Sequence, residues 1–469
     1  MGATITVFES ALSALTANAG GMSVTANNIA NVNTPGYARQ RVTFASRSPQ
    51  VSGGIELGRG VELTSVERIF DEFAELRLTN ASSDKGETDV GSGNIRQVEA
   101  LFNEVGQPGL AQYIGDFFNT WSDIANDASE RAPRNNTLNK AAILIDRFHQ
   151  LSQGLKDNRT LLDGDVRDRV SQINNMAEQL ADINQRIAAA DERTQLTLRD
   201  QRTQLVHDLA EYVDVQALET SDGEYQVYIA QGLQLVAGAT YGTLSTQVDA
   251  TNAGLVDVLF AVGSATGSDI TSRINGGELK GLLDLRDTTI PSYQTQLDEL
   301  AYELATEFNT VHLTGFGLDG VGARRFFGDL ATTVDAAASI ALDAAVDGVP
   351  NALAAAGAAA QIPAGNSVSL TLAAMQTTSI TFTTGSTTFT NFYSGLLATI
   401  GSDTSFLKDR AGFAAEVFRQ AQVQRERVSG VSLEEEQMLL LKYQSAFQAA
   451  SRMVGVADQL LQTLVQLLE

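Results

Sequence analysis

The chain has 469 residues, no cysteine, and 56 acidic against 32 basic side chains, a net charge of −24. This length supports a large core and more than one domain, and the lack of thiols rules out disulfides and thiolate metal or nucleophile chemistry. The acidic surplus, with no basic block, argues against nucleic acid or an anionic membrane as a partner. No run approaches the ~18 apolar residues that a membrane span needs. The first basic residue is Arg39, so the positive region of a cleaved secretion signal is missing.

At the amino terminus, Phe8, Leu12, Leu15, Ala19, Met22, Ala26 and Ile29 alternate four and three apart, the seam of a heptad helix. Thr6 and Glu9 have the spacing of a capping box at its start. Asn31 and Asn33 compete for backbone hydrogen bonds, and Pro35-Gly36 suits the centre of a type II turn. The spacing therefore predicts a helix that stops in a rigid turn containing Asn27, Asn28, Asn31, Pro35, Gly36 and Tyr37. Residues 38–62 read as an extended connector with β-like runs at 40–44 and 61–63. From Ser65 the pattern becomes helical, with Ile69, Phe73, Leu76, Ile95, Val98 and Leu101, up to a break over Gly106 to Gly109. A further amphipathic helix carries Leu110, Tyr113, Phe117, Trp121 and Ile124.

Between Pro133 and Pro291 there is no proline. Phe148, Leu155 and Leu162 are seven apart, as are Val166, Ile173, Leu180 and Ile187, so a long bundle helix is expected, with Gly164 as a candidate kink. A shorter helix over 194–212 follows. From Val213 the period shifts towards two, giving strands near 213–217, 225–229, 233–236 and 256–262, with turns at Asp222-Gly223 and Gly232. Helical pattern resumes over 277–312, interrupted near Pro291. Residues 330–390 are rich in Ala, Gly and Thr and poorly patterned, with a hairpin expected around Gly385. Helices over 391–399 and 405–428 lead to a hinge at Gly430. The last helix, capped by Ser432 and Glu435, has an unbroken seven-residue seam: Leu433, Leu440, Phe447, Val454, Leu461 and Leu468, with Glu436, Tyr443, Ala450, Ala457 and Leu464 as companions. Two seams at opposite ends predict that the termini pair with each other. A bare helix pair has little core, so its remaining apolar surface seeks neighbouring copies.

Catalytic chemistry finds little support. His149, His207 and His312 are each alone in the sequence and lack metal-ligand or general-base spacing. Residues 315–320 match GxGxxG but follow a helix instead of a strand, which reads as a loop. Asp163, Asp165 and Asp168 lack the ligand order of a calcium loop. No cofactor, metal site or catalytic set is expected, and the chain reads as a structural protein, not an enzyme.

The run 26–37, Ala-Asn-Asn-Ile-Ala-Asn-Val-Asn-Thr-Pro-Gly-Tyr, resembles the amino-terminal signature of the bacterial flagellar axial proteins: rod, hook and hook-associated proteins. Residues 429–436 and 443–451 resemble the carboxy-terminal half of that signature. Three inner stretches, 198–205, 276–286 and 308–316, resemble hook-associated members at the hook–filament junction more than rod or hook proteins, which remain the alternative. The resemblance implies a structural junction protein in the extracellular flagellum, exported through the type III apparatus without a cleaved signal. It implies as partners the hook protein, the next junction protein, copies of itself in a ring and a cytoplasmic export chaperone near the carboxy terminus. The expected fold is mainly α with β insertions: terminal coiled-coil helices and a long helical bundle nested around small β subdomains. The expected domains are an inner coiled coil of 1–38 plus 430–469 and a helical bundle of 39–213, 273–329 and 391–429. A small β insertion of 214–272 and a reduced outer insertion of 330–390 complete them. Folding coupled to assembly is expected, with the terminal seams disordered in the monomer and protease trimming it to roughly residues 40–430.

Overall fold

The computed structural model describes residues 2–52, 55–103, 108–220 and 224–466. Gly106, the Asp222-Gly223 turn and Leu468 lie outside them. The fold is mainly α with small β pieces. Helix α1 (Gly2–Ala30) begins before Thr6, so Thr6 and Glu9 lie inside it and not at its start; Glu9 meets Arg59 at 3.2 Å. After the turn, β1 (Gln40–Ser46), β2 (Gln50–Ser52), β3 (Ile55–Leu57) and β4 (Val61–Arg68) form a long antiparallel arm, β1 pairing with β4 and β2 with β3. The stretch from Ser65, expected to be helical, is the second half of β4, because pairing with β1 continues to Gln40 opposite Arg68. The helix starts later, where the Asp71 carboxylate accepts from the N–H groups of Phe73 and Ala74 at 2.9 and 3.1 Å.

Helices α2 (Glu72–Leu101), α3 (Leu110–Asn126), α4 (Arg131–Ala189) and α5 (Glu192–Tyr212) build the bundle. The 59 residues of α4 run unbroken through Gly164, about 88 Å at the usual rise. Both of its predicted seven-residue series, from Phe148 to Leu162 and from Val166 to Ile187, are buried. A six-stranded antiparallel meander follows: β5 (Gln216–Glu219), β6 (Tyr225–Ile229), β7 (Leu233–Ala237), β8 (Thr240–Val248), β9 (Val256–Val262) and β10 (Ser268–Asp269). Strand β8 was not legible in its Thr-, Gly- and Ser-rich sequence. Helix α6 (Gly277–Asp284) passes through a π-turn (Leu285–Thr289) into α7 (Ile290–His312), so the Pro291 neighbourhood is crossed without a break in the rod.

Residues 330–390, expected to be a reduced outer insertion, pack against α3, α4 and α7 through α8 (Ala336–Ser339), α9 (Ser367–Ala374) and the hairpin of β11 (Ile380–Phe382) and β12 (Gly385–Thr387). Ala336, Ile340, Leu353 and Leu372 are fully buried there and belong to the main core. The two helices expected over 391–428 are one helix, α10 (Phe389–Ser429), followed by α11 (Leu433–Gln466). The core centres on Phe117, Phe118, Trp121, Phe308, Phe326 and Phe327, whose rings meet edge-on or tilted.

Candidate functional site at the chain termini

The terminal helices, expected without ordered partners in the monomer, are paired with each other in the single chain. Asn28 meets Glu436, and a Cβ built at Gly21 would lie 2.9 Å from the ring of Tyr443. Seven residues back along α1 is seven forward along α11, so the pair is antiparallel. Among the described residues the buried side chains on α1 are small or polar: Thr6, Ala11, Ser13, Ala17, Val24, Thr25 and Asn28. This face lets the backbones approach, and the larger side chains of α11 fill the space against it. Glu436, Ala450 and Ala457 are buried; Tyr443, Leu440, Phe447, Val454 and Leu461 are half-buried, and Leu433 is exposed. The predicted α1 seam is less deeply buried than the line of small residues. Phe8, Leu15, Met22 and Ile29 are half-buried, and Leu12 is 51% exposed. The offset of one or two residues is about 100–200° around the helix.

The β1–β4 arm covers one side of the pair. Ser13 Oγ accepts from Val61 N at 3.1 Å, and Phe44 stands edge-on to Tyr443 with centroids 6.2 Å apart. Between α1, β1 and α11 an open cavity of about 610 Å³ is walled by Val24, Val42, Phe44, Leu439 and Tyr443.

The signature turn links this pair to the bundle. Tyr37 N donates to Thr34 O at 3.2 Å with Gly36 at φ +75°, which is the type II geometry that Pro35-Gly36 favours. Asn27 Nδ2 donates to the Tyr37 hydroxyl at 3.2 Å, and Asn31 Nδ2 returns to Asn27 O at 2.9 Å. Asn28 is the hub. Its Oδ1 accepts from Tyr37 Oη at 2.8 Å and Gln40 N at 3.0 Å; its Nδ2 donates to Gln40 O at 2.8 Å and Glu436 Oε2 at 3.0 Å. The buried Glu436 carboxylate also accepts from Arg39 Nε at 2.7 Å, and Arg39 reaches Glu435 with its other arm at 2.7 Å. Burial pushes the Tyr37 phenol up, and the charges of Asp200 and Glu436 add to the shift.

A second polar layer fixes the turn from below. Arg425 of α10 donates to Gly36 O at 2.9 Å and to Glu75 Oε1 at 3.0 Å, and His207 Nε2 lies 2.8 Å from Glu75 Oε2. Asp200 pairs with Arg68 at 2.7 Å, and Arg39 N donates to Ser429 O at 2.8 Å. Burial pushes the Glu75 carboxyl up, but the hydrogen bond and charge of His207, with those of Arg425, outweigh it and hold the group below its ordinary 4.5. A carboxylate with a lowered folded-state pKa stabilises the fold above the usual carboxylate range and loses that contribution as pH falls through its lowered value. Glu75→Gln should therefore cost stability at pH 7 and progressively less below about pH 4.5, read as converging denaturation midpoints of the two proteins. Parallel curves across that range would show that the cluster does not couple to folding.

Arg39, Glu75, Asp200 and Arg425 were not singled out from the sequence as site residues. Asp200 does lie in the motif run 198–205, and Glu436, a carboxylate on the companion line of an apolar seam, was a legible irregularity. The other two histidines bind backbone. His149 meets Ile340 O at 2.8 Å, while His312 meets Arg324 O at 2.8 Å and accepts from Ala354 N at 3.0 Å, with burial pushing its imidazole down to about 4. The loop 315–320 bridges to Gly322 and Ala356 through Phe316. Asp163 lies within continuous α4, paired with Arg286. Among the described residues no group of His, Asp and Glu could hold a metal ion, and no helix is long and apolar enough to cross a membrane.

Comparison with known proteins gives one consistent answer along the chain. Residues 95–327 match the family described as flagellar hook-associated protein FlgK helical domain. Residues 8–37 match the flagella basal body rod protein family, and 424–467 the carboxy-terminal family of the flagellar basal body rod FlgEFG proteins. The flagellar hook-associated protein 1 of Bacillus subtilis is 28% identical over 503 aligned positions, covering 99% of this chain and 98% of that protein. The protein of the same name from Escherichia coli is 27% identical, covering 72% of this chain and 65% of that one. The solved structure of the flagellar hook junction protein FlgK from Burkholderia pseudomallei shares the fold, with a TM-score of 0.65 over 75% of this chain and all of that one, at 17% identity. With matches to both terminal segments and to the helical body, this chain belongs to the flagellar hook-associated protein 1 family.

Proposed function

We propose that this chain is the structural junction protein between the bacterial flagellar hook and the filament, exported through the type III apparatus and assembled through its terminal helices. The observation that carries the assembly role is the apolar surface of the terminal pair. Phe8, Leu15, Met22 and Ile29 are half-buried and Leu12 is 51% exposed, while Met438, Leu441, Met453, Val456 and Leu460 of α11 are 49–64% exposed, so the two-helix pair has more apolar surface than it covers itself. Copies of the same chain in a ring cover that surface. A buried Leu or Phe contributes about 1.5–3 kcal/mol, so several such side chains supply enough to hold neighbours together. The rigid turn 31–37 fixes the direction in which the pair leaves the bundle. The hook protein on one side and the next junction protein on the other are the axial partners, and a cytoplasmic chaperone near the carboxy terminus holds the exposed helix before export. The role needs no catalytic step.

Electron microscopy of cells lacking this protein, with an assay for flagellin in the medium, tests the reading. Hooks without filaments, and flagellin shed as monomer, are the expected result. Cells without hooks would move the assignment to hook or rod, and intact filaments would refute it.

A further inference from the structure

We infer that the buried Asn28–Glu436–Arg39 cluster is the register lock of the terminal helix pair. The inner face of α1 carries small residues such as Ala14, Ala17 and Gly21 toward the α11 line of Tyr443, Ala450 and Ala457. Small side chains permit close approach and, apart from Gly21, which leaves room for the Tyr443 ring, distinguish poorly between registers. One layer of the pair carries a fully partnered buried polar match. Asn28 and Glu436 are each 1% exposed; all four hydrogen-bonding positions of the Asn28 amide are filled, and both Glu436 oxygens are partnered. In any slipped register the Glu436 carboxylate would be buried against apolar or small residues, without Asn28 and Arg39. A buried polar group at one seam position is a known means of fixing helix register at some expense of stability. The lock sits at the bundle end of the pair, where Tyr37 and Gln40 tie Asn28 to the turn, so one cluster sets both the phase of the pair and the alignment of its outer seam.

The chain has no cysteine, so introduced pairs report register directly. Continuing the Asn28–Glu436 and Gly21–Tyr443 pairings by another seven residues sets Ala14 opposite Ala450. In the full-length chain, Ala14→Cys with Ala450→Cys should oxidise to a disulfide at least about tenfold faster than Ala14→Cys with Ala457→Cys, which reports a heptad slip. Adding Asn28→Leu and Glu436→Leu should bring the two rates within about threefold, and Glu436→Gln, which keeps acceptor and shape, should restore the preference. If the preference survives in the double-Leu protein, the connections at 31–39 and 430–432 set the register alone and the lock is overturned. If neither pair then oxidises, the cluster is the source of pairing itself, which also overturns it. Nothing in this test depends on flagellar assembly, so its failure leaves the junction reading untouched.

Discussion

Phe447→Asp should abolish incorporation into the flagellum while leaving the bundle folded. Phe447 is half-buried on the α11 line that faces α1, one turn beyond Tyr443. An aspartate there removes a large apolar contact and places a charge in the seam, an effect of about 3–5 kcal/mol where the ring is well covered. Helix α11 packs chiefly on α1, so the loss falls on the terminal pair and not on the aromatic core around Phe117 and Phe308. The purified variant should keep its main unfolding transition, and cells carrying it should show hooks without filaments. Normal filaments would refute the role of the seam.

Arg286→Leu should have the largest effect on the stability of the bundle itself. The Arg286 side chain is fully buried at the π-turn, with Nη1 2.7 Å from Asp163 Oδ1 and Nη2 2.8 Å from Asp287 Oδ2. Asp163 also accepts from Val256 N at 2.8 Å, and Arg159 donates to Arg286 O at 2.8 Å, so this network holds the sheet against α4. Removing the cation leaves the buried Asp163 Oδ1 with Val256 N alone, while the half-exposed Arg167 still pairs with Oδ2 at 3.0 Å, so the cost is about 3 kcal/mol, the lower end for a broken buried pair. Denaturant titration should show the lowered midpoint, and Asp163→Leu combined with Arg286→Leu should recover part of it, since the most deeply buried carboxylate goes with the buried cation. A double variant no more stable than the single one would show that the ion pair is not the source of the effect.

Both predictions draw on residues that the sequence marked unequally. Phe447 stood in a seven-residue series that could be read directly. Arg286 was legible only as part of the motif run 276–286, because its partner lies 123 residues away on another helix. Glu75, Asp200 and Arg425 share that difficulty: each is an ordinary charged residue until three helices bring them under the turn. The strand β8 and the stretch 330–390 failed to announce themselves for another reason. Their small residues carry weak periodicity, and what they bury is decided by the surfaces they meet.

The sequence by itself determined the helices with seven-residue series, the turn at Pro35-Gly36, the break from helix to meander after Val213, and the absence of thiol chemistry. Each of these follows from local physics: rotational period, backbone preference and residue type. Tertiary structure alone decided which face α1 turns to α11. The line of larger residues from Phe8 to Ile29 looked like the inner seam, yet the small line through Ala17 and Gly21 took that place. Close backbone approach lets Tyr443, Leu440 and Phe447 of the partner helix cover themselves, a gain that neither helix alone records. The larger line is less deeply buried, with Leu12 51% exposed.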